Sequence, residues 1–120
     1  MKVLIVDDDA GNRRLATRML QRTPSMIVEQ AEDGPSCLDL AAADRFDVVL
    51  LDISMPDMDG VEVCRRLRLM PHYADIPIVA CTAHAGSRDR DEFLRQGFTR
   101  VLTKPFLLDE LRGAIDPGGD

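Results

Sequence analysis

Five short apolar runs alternate along this chain with stretches of helical periodicity, and no other feature restricts its fold as strongly. The runs occupy residues 3–6, 26–28, 48–51, 76–81 and 101–102. Between them, apolar side chains recur at helical spacing, as at Leu15, Met19 and Leu20, which predicts a helix in each interval and another after the last run. We expect Gly97 to end the fourth of these helices as a C-cap.

A regular alternation of strands and helices predicts right-handed crossovers and a parallel sheet covered by helices on both faces. We therefore expect one α/β domain over residues 1–120, with a doubly wound sheet of five strands and five helices. The second run ends in Glu29, Gln30 and Ala31 rather than in a reactive group, which suits an edge strand. Residues 116–120 end the last helix and form a tail or the start of a linker.

Composition excludes several classes of protein. With 45% hydrophobic and 30% charged residues among 120, the chain has the profile of a folded globular domain. No apolar run approaches the ~20 residues of a membrane span, so we expect a cytoplasmic protein without membrane contact. The formal net charge of −6 argues against direct nucleic-acid binding by this domain. The three cysteines are widely spaced and match no zinc motif, so we expect reduced thiols in or near the core.

The residues that follow the apolar runs carry the candidate chemistry. In a doubly wound sheet, ligands bind outside the carboxyl ends of the strands. The first run ends in Asp7 and Asp8, the third in Asp52 and the fourth in Thr82, and the fifth is soon followed by Lys104. We expect this placement to gather the carboxylates, one hydroxyl and one ammonium group in a single crevice.

Three consecutive acids, Asp7 to Asp9, are costly at a covered strand end because their charges repel one another and lose hydration. A bound cation removes that cost. Carboxylate ligands fit a hard divalent ion, and Mg²⁺ in particular is held by one or two carboxylates, water and phosphate oxygens. With a metal, Lys104 and the Thr82 hydroxyl around it, Asp52 would be the nucleophile of a phosphoryl-transfer site.

Each of these residues also has an ordinary interpretation when it is taken alone. Asp8 or Asp9 can cap the helix that starts near Gly11. Asp52 and Thr82 can be strand-terminal residues, and Lys104 can be a solvated surface lysine. The functional interpretation is favoured because acid, acid, hydroxyl and lysine follow apolar runs in this chain order.

Four segments are familiar as a set: VLIVDDD, VVLLDISMPDMDG, IPIVACTAHA and VLTKPF. In order and spacing they resemble the motifs of the receiver domain of two-component response regulators, the CheY-like family, over essentially the whole chain. The resemblance implies a flavodoxin-like fold with strand order 2-1-3-4-5. It also implies a signalling domain, not a turnover enzyme, that takes a phosphoryl group from a phosphohistidine in a reaction dependent on Mg²⁺ or Mn²⁺.

The resemblance assigns a role to each matching acid and to its neighbours. Asp52 corresponds to the phosphoacceptor, and Asp7 and Asp8 correspond to the acidic pair that binds the metal together with Asp52. Ser54 matches the position whose backbone carbonyl completes the metal coordination. Ser54 and His84 also match positions that flank the site and influence how fast the phosphoryl group is lost.

The resemblance also covers the later strands. Thr82 matches the switch hydroxyl, and together with Ala83 and Lys104 it matches the groups that bind the phosphoryl oxygens; Ala83 is the small residue that leaves room for them. The bond from Lys104 to Pro105 is typically cis in the family. Many receivers carry an aromatic switch residue three positions before the lysine, where this chain has Val101. A valine has no ring to swing inward, so we expect different coupling at this position.

The implied partners are a sensor histidine kinase or a histidine phosphotransfer protein. An output domain, a downstream protein and a phosphorylation-dependent homodimer all remain open. The TAHA stretch is similar to receivers of phosphorelays and hybrid kinases. By contrast, Met1 and Lys2 lead directly into the first strand, as expected of an N-terminal or stand-alone receiver.

Three other functions are compatible with parts of the pattern. A haloacid-dehalogenase-like phosphatase also forms an aspartyl phosphate with Mg²⁺, but it uses an Asp-x-Asp motif and a cap, for which this chain has no spare length. A flavodoxin-like carrier of FMN needs a phosphate-binding loop after the first strand, where the acids would repel the phosphate. A degenerate receiver that serves only as a protein-interaction scaffold would lack the acceptor, the acidic pair or the lysine, and all are present.

Overall fold

The computed structural model describes residues 1–55, 58–83 and 86–115. Its strands are β1 (Lys2–Val6), β2 (Ile27–Ala31), β3 (Val48–Asp52), β4 (Ile78–Thr82) and β5 (Arg100–Thr103). Its helices are α1 (Ala10–Gln21), α2 (Gly34–Ala43), α3 (Gly60–Arg68), α4 (Ser87–Arg95) and α5 (Leu108–Ile115), with a short 3₁₀-helix at Pro71–Tyr73. Within the described residues, no helix has the length and apolar character that crossing a membrane requires. The predicted tail at 116–120 and His84 lie outside the described residues.

The five strands form one parallel sheet in the order β2-β1-β3-β4-β5. This confirms the doubly wound, flavodoxin-like fold, and it confirms that the second strand lies at an edge. The chain leaves β1 towards one side of the sheet and β3 towards the other, so the crevice between these two strand ends is the switch point at which such folds bind ligands.

Alternate residues of the central strands face opposite helical layers. Leu4 and Val6 pack with residues of α2 and α3, whereas Val3 and Ile5 pack with residues of α1 and α5. All four side chains are at most 3% exposed. Because both faces of the sheet are buried, the strands appear in the sequence as continuous apolar runs rather than as an alternation of apolar and polar residues.

All five strands differ from the predicted runs by one or more residues, and the differences at β2 and β4 have a clear physical cause. β2 extends past its run through Glu29 and Gln30, because an edge strand leaves room for polar side chains to reach water. β4 begins at residue 78 instead of 76, since Pro77 has no N–H to donate to the ladder. The carbonyl of Pro77 still accepts a hydrogen bond from the amide of Val49 at 3.1 Å.

α4 is the most exposed of the α-helices that the structure describes. None of its side chains is fully buried, and its main anchor is Phe93, whose ring packs edge-to-face on that of Phe98 with centroids 5.8 Å apart. The helix ends as predicted at Gly97, which has a φ of 110°. There the amides of Gly97 and Phe98 donate to the carbonyls of Leu94 and Phe93 at 3.3 and 3.2 Å, the pattern of a Schellman motif.

Two long polar side chains stabilise the edge of the sheet opposite the strand ends that carry the candidate chemistry. Arg68, at the end of α3, donates to the carbonyls of Tyr73, Ile76 and Gly97 at 2.8, 2.7 and 3.0 Å. The Tyr73 hydroxyl donates to the carbonyl of Asp44 at 2.7 Å and accepts from the amide of Phe46 at 3.2 Å. These bonds hold the loops before β3, β4 and β5 in place.

Candidate functional site

Asp7 follows β1 and is fixed on three sides. Only 6% of the residue is exposed. Its backbone amide donates to the carbonyl of Ala31 at 3.1 Å, and its Oδ1 accepts from the amide of Asp9 at 2.9 Å. The other carboxylate oxygen, Oδ2, accepts from Nζ of Lys104 at 2.8 Å. The carboxylate therefore has one defined orientation in the crevice.

The next two acids have different environments. Asp9 is the N-cap of α1, and its Oδ1 accepts from the amide of Asn12 at 3.0 Å, so the ordinary interpretation of a helix cap is correct for this residue. Asp8 is exposed and makes no hydrogen bond or ion pair with any residue that the structure describes. Its carboxylate is thus available to a ligand.

Asp52 is the last residue of β3 and is also only 6% exposed. Its Oδ1 accepts from the amide of Ser54 at 3.3 Å and lies 3.2 Å from Nζ of Lys104. Burial raises the pKa of Asp52, Lys104 opposes this shift and the negative charge of Asp7 adds to it, so that the pKa lies above its ordinary value. The position would therefore accommodate additional positive charge.

Gly60, at the start of α3, packs directly on the backbone of the same strand end. Its amide donates to the carbonyl of Ile53 at 3.0 Å. A Cβ at this position would lie 2.5 Å from the carbonyl oxygen of Asp52 and 2.9 Å from Cα of Ile53, which is too close for any other residue to fit without movement. Sequence analysis did not assign Gly60 a role, although the glycine closes the segment VVLLDISMPDMDG.

Lys104 connects the two buried acids. Its Nζ lies 2.8 Å from Oδ2 of Asp7 and 3.2 Å from Oδ1 of Asp52. Burial alone would lower the pKa of Lys104, but the interactions with Asp7 and Asp52 outweigh burial and raise the pKa above its ordinary value. The lysine is therefore a permanent positive charge of the site. The peptide bond from Lys104 to Pro105 is cis.

The remaining predicted residues lie around this cluster. Thr82 ends β4, and its carbonyl accepts from the amide of Lys104 at 2.8 Å. Ala83, the next residue, is exposed. Val101 lies outside the cluster on β5, where it is half-buried against the core beside α2 and α3 and is paired in register with Ala80.

An open cavity of about 360 Å³ adjoins the acids on the side of α1 and α5. Most of its lining is apolar, but Asp7 and Lys104 of the acidic site also line it, together with Ala83. The apolar members of the lining include Leu15, Ala16, Cys81, Pro105 and Phe106. The acidic site is therefore open to an incoming group. Burial raises the pKa of the Cys81 thiol to about 12, which keeps this cysteine protonated and unreactive at neutral pH.

The three carboxylates of Asp7, Asp8 and Asp52 fit a divalent cation. One oxygen from each lies within 4.8 Å of the other two, although the residues are contributed by two different strand ends. Two of the groups are buried and the third is exposed, so an ion could be held by protein oxygens and still retain water ligands, as Mg²⁺ prefers. Ser54 lies next to these carboxylates, since its backbone amide donates to Oδ1 of Asp52.

Arg13 is a second residue at the site that sequence analysis missed. Its Nη1 donates to the backbone carbonyl of Asp7 at 2.6 Å. Its signal in the sequence is a basic residue in the first turn of the helix that follows the three acids.

The fold and the site together define a class of proteins: doubly wound α/β domains with clustered carboxylates and a lysine at the carboxyl edge of the sheet. A sequence profile described as the response regulator receiver domain matches residues 3–116. The chain therefore belongs to the response regulator receiver domain family, and it is a CheY-like signalling domain of two-component systems.

Curated relatives support this assignment. The response regulator MprA of Mycolicibacterium vanbaalenii is 43% identical over 111 residues, which are 92% of this chain and 47% of that protein. MprA of Mycobacterium avium is 42% identical over 111 residues, with the same coverage of 92% and 47%. The chain thus spans about half the length of the curated relatives that it matches.

Solved structures of related proteins have the same fold. The chemotaxis protein CheY4 of Vibrio cholerae has a TM-score of 0.90 and 34% identity, over 97% of this chain and 96% of that chain. The receiver domain of the sensor histidine kinase PA1611 from Pseudomonas aeruginosa has a TM-score of 0.86 and 30% identity, over 97% and 94%. The latter structure is described as having a magnesium ion coordinated in its active site cleft.

Proposed function

We propose that this domain accepts a phosphoryl group on Asp52 from a phosphohistidine and changes conformation in response. The observation that carries this proposal is the triangle formed by Asp7, Asp52 and Lys104, in which a single ammonium group contacts two buried carboxylates. Receiver domains generally bind Mg²⁺ at an acidic pocket, and the exposed carboxylate of Asp8 completes such a pocket in this chain.

In the proposed reaction, a carboxylate oxygen of Asp52 attacks the phosphorus atom of the phosphohistidine. The P–O bond forms, the P–N bond breaks, and the leaving imidazole nitrogen keeps the bonding electron pair. Lys104 lies 3.2 Å from Oδ1 of Asp52 and would bind one phosphoryl oxygen. The Thr82 hydroxyl would bind a second, and the small side chain of Ala83 would leave room for the group.

The metal expected here is Mg²⁺ or Mn²⁺, held by Asp7, Asp8, Asp52 and the backbone carbonyl of Ser54. When bound, it would neutralise negative charge on the phosphoryl oxygens. Lys104 contributes charge of the same sign and is already in place, because its ion pairs with Asp7 and Asp52 are 2.8 and 3.2 Å long. Little rearrangement of the lysine is then needed during transfer.

The response to phosphorylation would begin at Thr82, whose strand neighbour is Thr103 of β5. Val101 has no ring to carry the movement outward, so repacking of the segment from Thr82 to Arg88 would do so instead. Expected partners are a sensor histidine kinase or a histidine phosphotransfer protein, acting in the cytoplasm on a receiver domain that spans residues 1–120. An output domain, a downstream protein or a second phosphorylated copy would receive the signal.

The proposal is tested by the intact mass of the protein after incubation with acetyl phosphate or phosphoramidate, with and without Mg²⁺. We expect one phosphoryl adduct that requires Mg²⁺, is labile in alkali and is missing from Asp52→Asn. Asp9→Asn is the matched control, since it makes the same acid-to-amide change in a residue that caps α1, and asparagine is an equally good N-cap. A folded parent protein without an adduct would instead favour the scaffold function, and an adduct that persists in Asp52→Asn would refute the acceptor assignment.

A further inference from the structure

The Arg13 side chain binds the backbone of the acidic run at residues 7–9 and not the carboxylates of that run. It is the fourth residue of α1 (Ala10–Gln21), and its Nη1 donates to the carbonyl oxygen of Asp7 at 2.6 Å. A guanidinium group next to three acids would ordinarily form a bidentate ion pair with one of them. Among the described residues, Arg13 forms no such ion pair with a carboxylate within 4.0 Å.

The carbonyl that Arg13 binds belongs to the peptide group between Asp7 and Asp8. A peptide group is planar, so fixing its carbonyl direction restricts the backbone on both sides of it. On the other side of Asp7, the amide is held by the carbonyl of Ala31 at 3.1 Å. Arg13 therefore supplies the restraint that the sheet does not provide, at the residue pair expected to bind the metal.

Arg13 is itself held by two other side chains. Its Nε donates to Oε1 of Gln30 at 3.3 Å, and Nε2 of Gln30 donates to the Thr17 hydroxyl at 3.0 Å. The Thr17 hydroxyl in turn donates to the backbone carbonyl of Arg13 at 2.7 Å. This ring of hydrogen bonds joins α1 to β2 and holds the guanidinium group beside the carbonyl of Asp7.

From this geometry we propose that Arg13 is a positioning residue for the acidic pair: it orients Asp7 and Asp8 for a divalent cation and does not itself bind their carboxylate oxygens. The inference rests on the proposed function, since it presumes that the pair binds Mg²⁺. Asp8 depends most on this restraint of the backbone, because no described residue binds its side chain.

The sign of the effect on Mg²⁺ affinity separates positioning from simple charge. If Arg13 acted only through its charge, a neutral substitution would remove a repulsive cation and tighten Mg²⁺ binding. If it positions the acids, the same substitution weakens binding, by about tenfold when judged from other residues that orient metal ligands. The two interpretations therefore make opposite predictions for one variant.

The experiment is a Mg²⁺ titration without any phosphoryl donor, followed by the backbone amide resonance of Asp9, which donates to Oδ1 of Asp7. Arg13→Gln should weaken Mg²⁺ binding by about tenfold, and Arg13→Lys, which keeps the charge and a donor, should recover part of the loss. Arg14→Gln is the matched control, because the Arg14 side chain is exposed and makes no hydrogen bond with the described residues. Its Mg²⁺ affinity should equal or slightly exceed that of the parent.

Circular dichroism at the titration temperature establishes that each variant is folded. Gln30→Ala removes only the side chain that supports the guanidinium group, and it should also weaken Mg²⁺ binding, as Arg13→Gln does. Unchanged or tighter binding by Arg13→Gln overturns the inference while leaving the proposed function intact. If the parent protein itself does not bind Mg²⁺, the metal site of the proposed function is wrong, and this inference is wrong with it.

Discussion

Replacing Gly60 with alanine tests the close packing of α3 on the strand that carries the proposed phosphoacceptor. The new methyl group would lie 2.5 Å from the carbonyl oxygen of Asp52 and 2.9 Å from Cα of Ile53. Ordinary contacts begin at 3.4 Å, so one of the two backbone segments must move by about 0.9 Å. Both segments are backbone, which yields less easily than the end of a side chain.

The size of the effect follows from this displacement. Overpacking a well-packed site costs about 1–3 kcal/mol, and the gain in helix propensity is small because Gly60 is the first residue of α3. Unfolding entropy for a chain of 120 residues is about 0.25 kcal/mol per kelvin near the midpoint. We therefore expect Gly60→Ala to lower the Tm by about 4–12 °C.

Thermal unfolding followed by circular dichroism measures this shift, and Gly113→Ala provides the matched control. Gly113 is also a glycine within a helix, but a Cβ there meets no atom within 4 Å, so the substitution should stabilise by about 0.5–1 kcal/mol and raise the Tm. Because the displaced segment includes Asp52, Gly60→Ala should also weaken Mg²⁺ binding, and Gly113→Ala should not. A Gly60→Ala protein as stable as the parent would refute the close approach of the two backbones.

Three further predictions concern other parts of the structure. Tyr73→Phe leaves the buried amide of Phe46 without its partner and should destabilise the fold by about 1–3 kcal/mol, measured by urea unfolding; an unchanged midpoint would contradict this. Lys104→Met removes the ammonium group 2.8 Å from Asp7, so it should abolish phosphorylation while Mg²⁺ binds at least as tightly, and a large fall in Mg²⁺ affinity would show that the lysine supports the metal site. Arg65 and Arg66 of α3 lower the pKa of Glu62 to about 2, so Glu62 stabilises the fold above its unfolded pKa of about 4.3, and this stabilisation is lost as the pH falls through about 2. Glu62→Gln should therefore flatten the decline in Tm over this acidic range.

Features that repeat along the chain were predictable from sequence. Both faces of the sheet are buried, so the strands appear as apolar runs, and the crossover helices between them make parallel order the expected arrangement. The proximity of Asp7, Asp52 and Lys104 also follows, since parallel strands bring their carboxyl ends to one edge. Periodicity was therefore enough to predict a doubly wound parallel sheet and to place these three residues together, whereas the strand order was predicted from the resemblance to receiver domains.

Contacts made by one residue across the fold were not predictable in this way. The hydrogen bond from Arg13 to the carbonyl of Asp7 and the bonds from Arg68 to three loop carbonyls depend on the position of single guanidinium groups. The approach of Gly60 to Asp52 depends on the entry angle of α3. None of these contacts produces a periodic pattern in the sequence, because each depends on one long side chain or on one residue without a Cβ.

The ion pair between Asp7 and Lys104 joins residues 97 positions apart, and this has a consequence during protein synthesis. Asp7 and Asp52 have left the ribosome well before the lysine that neutralises them is translated. Until β5 is docked beside β4, the nascent chain holds the acids without their counterion, and we expect it to be a poor phosphoryl acceptor. Under the proposed function, a kinase would not phosphorylate the chain at this stage, and phosphorylation would become possible only after the last strand has joined the sheet.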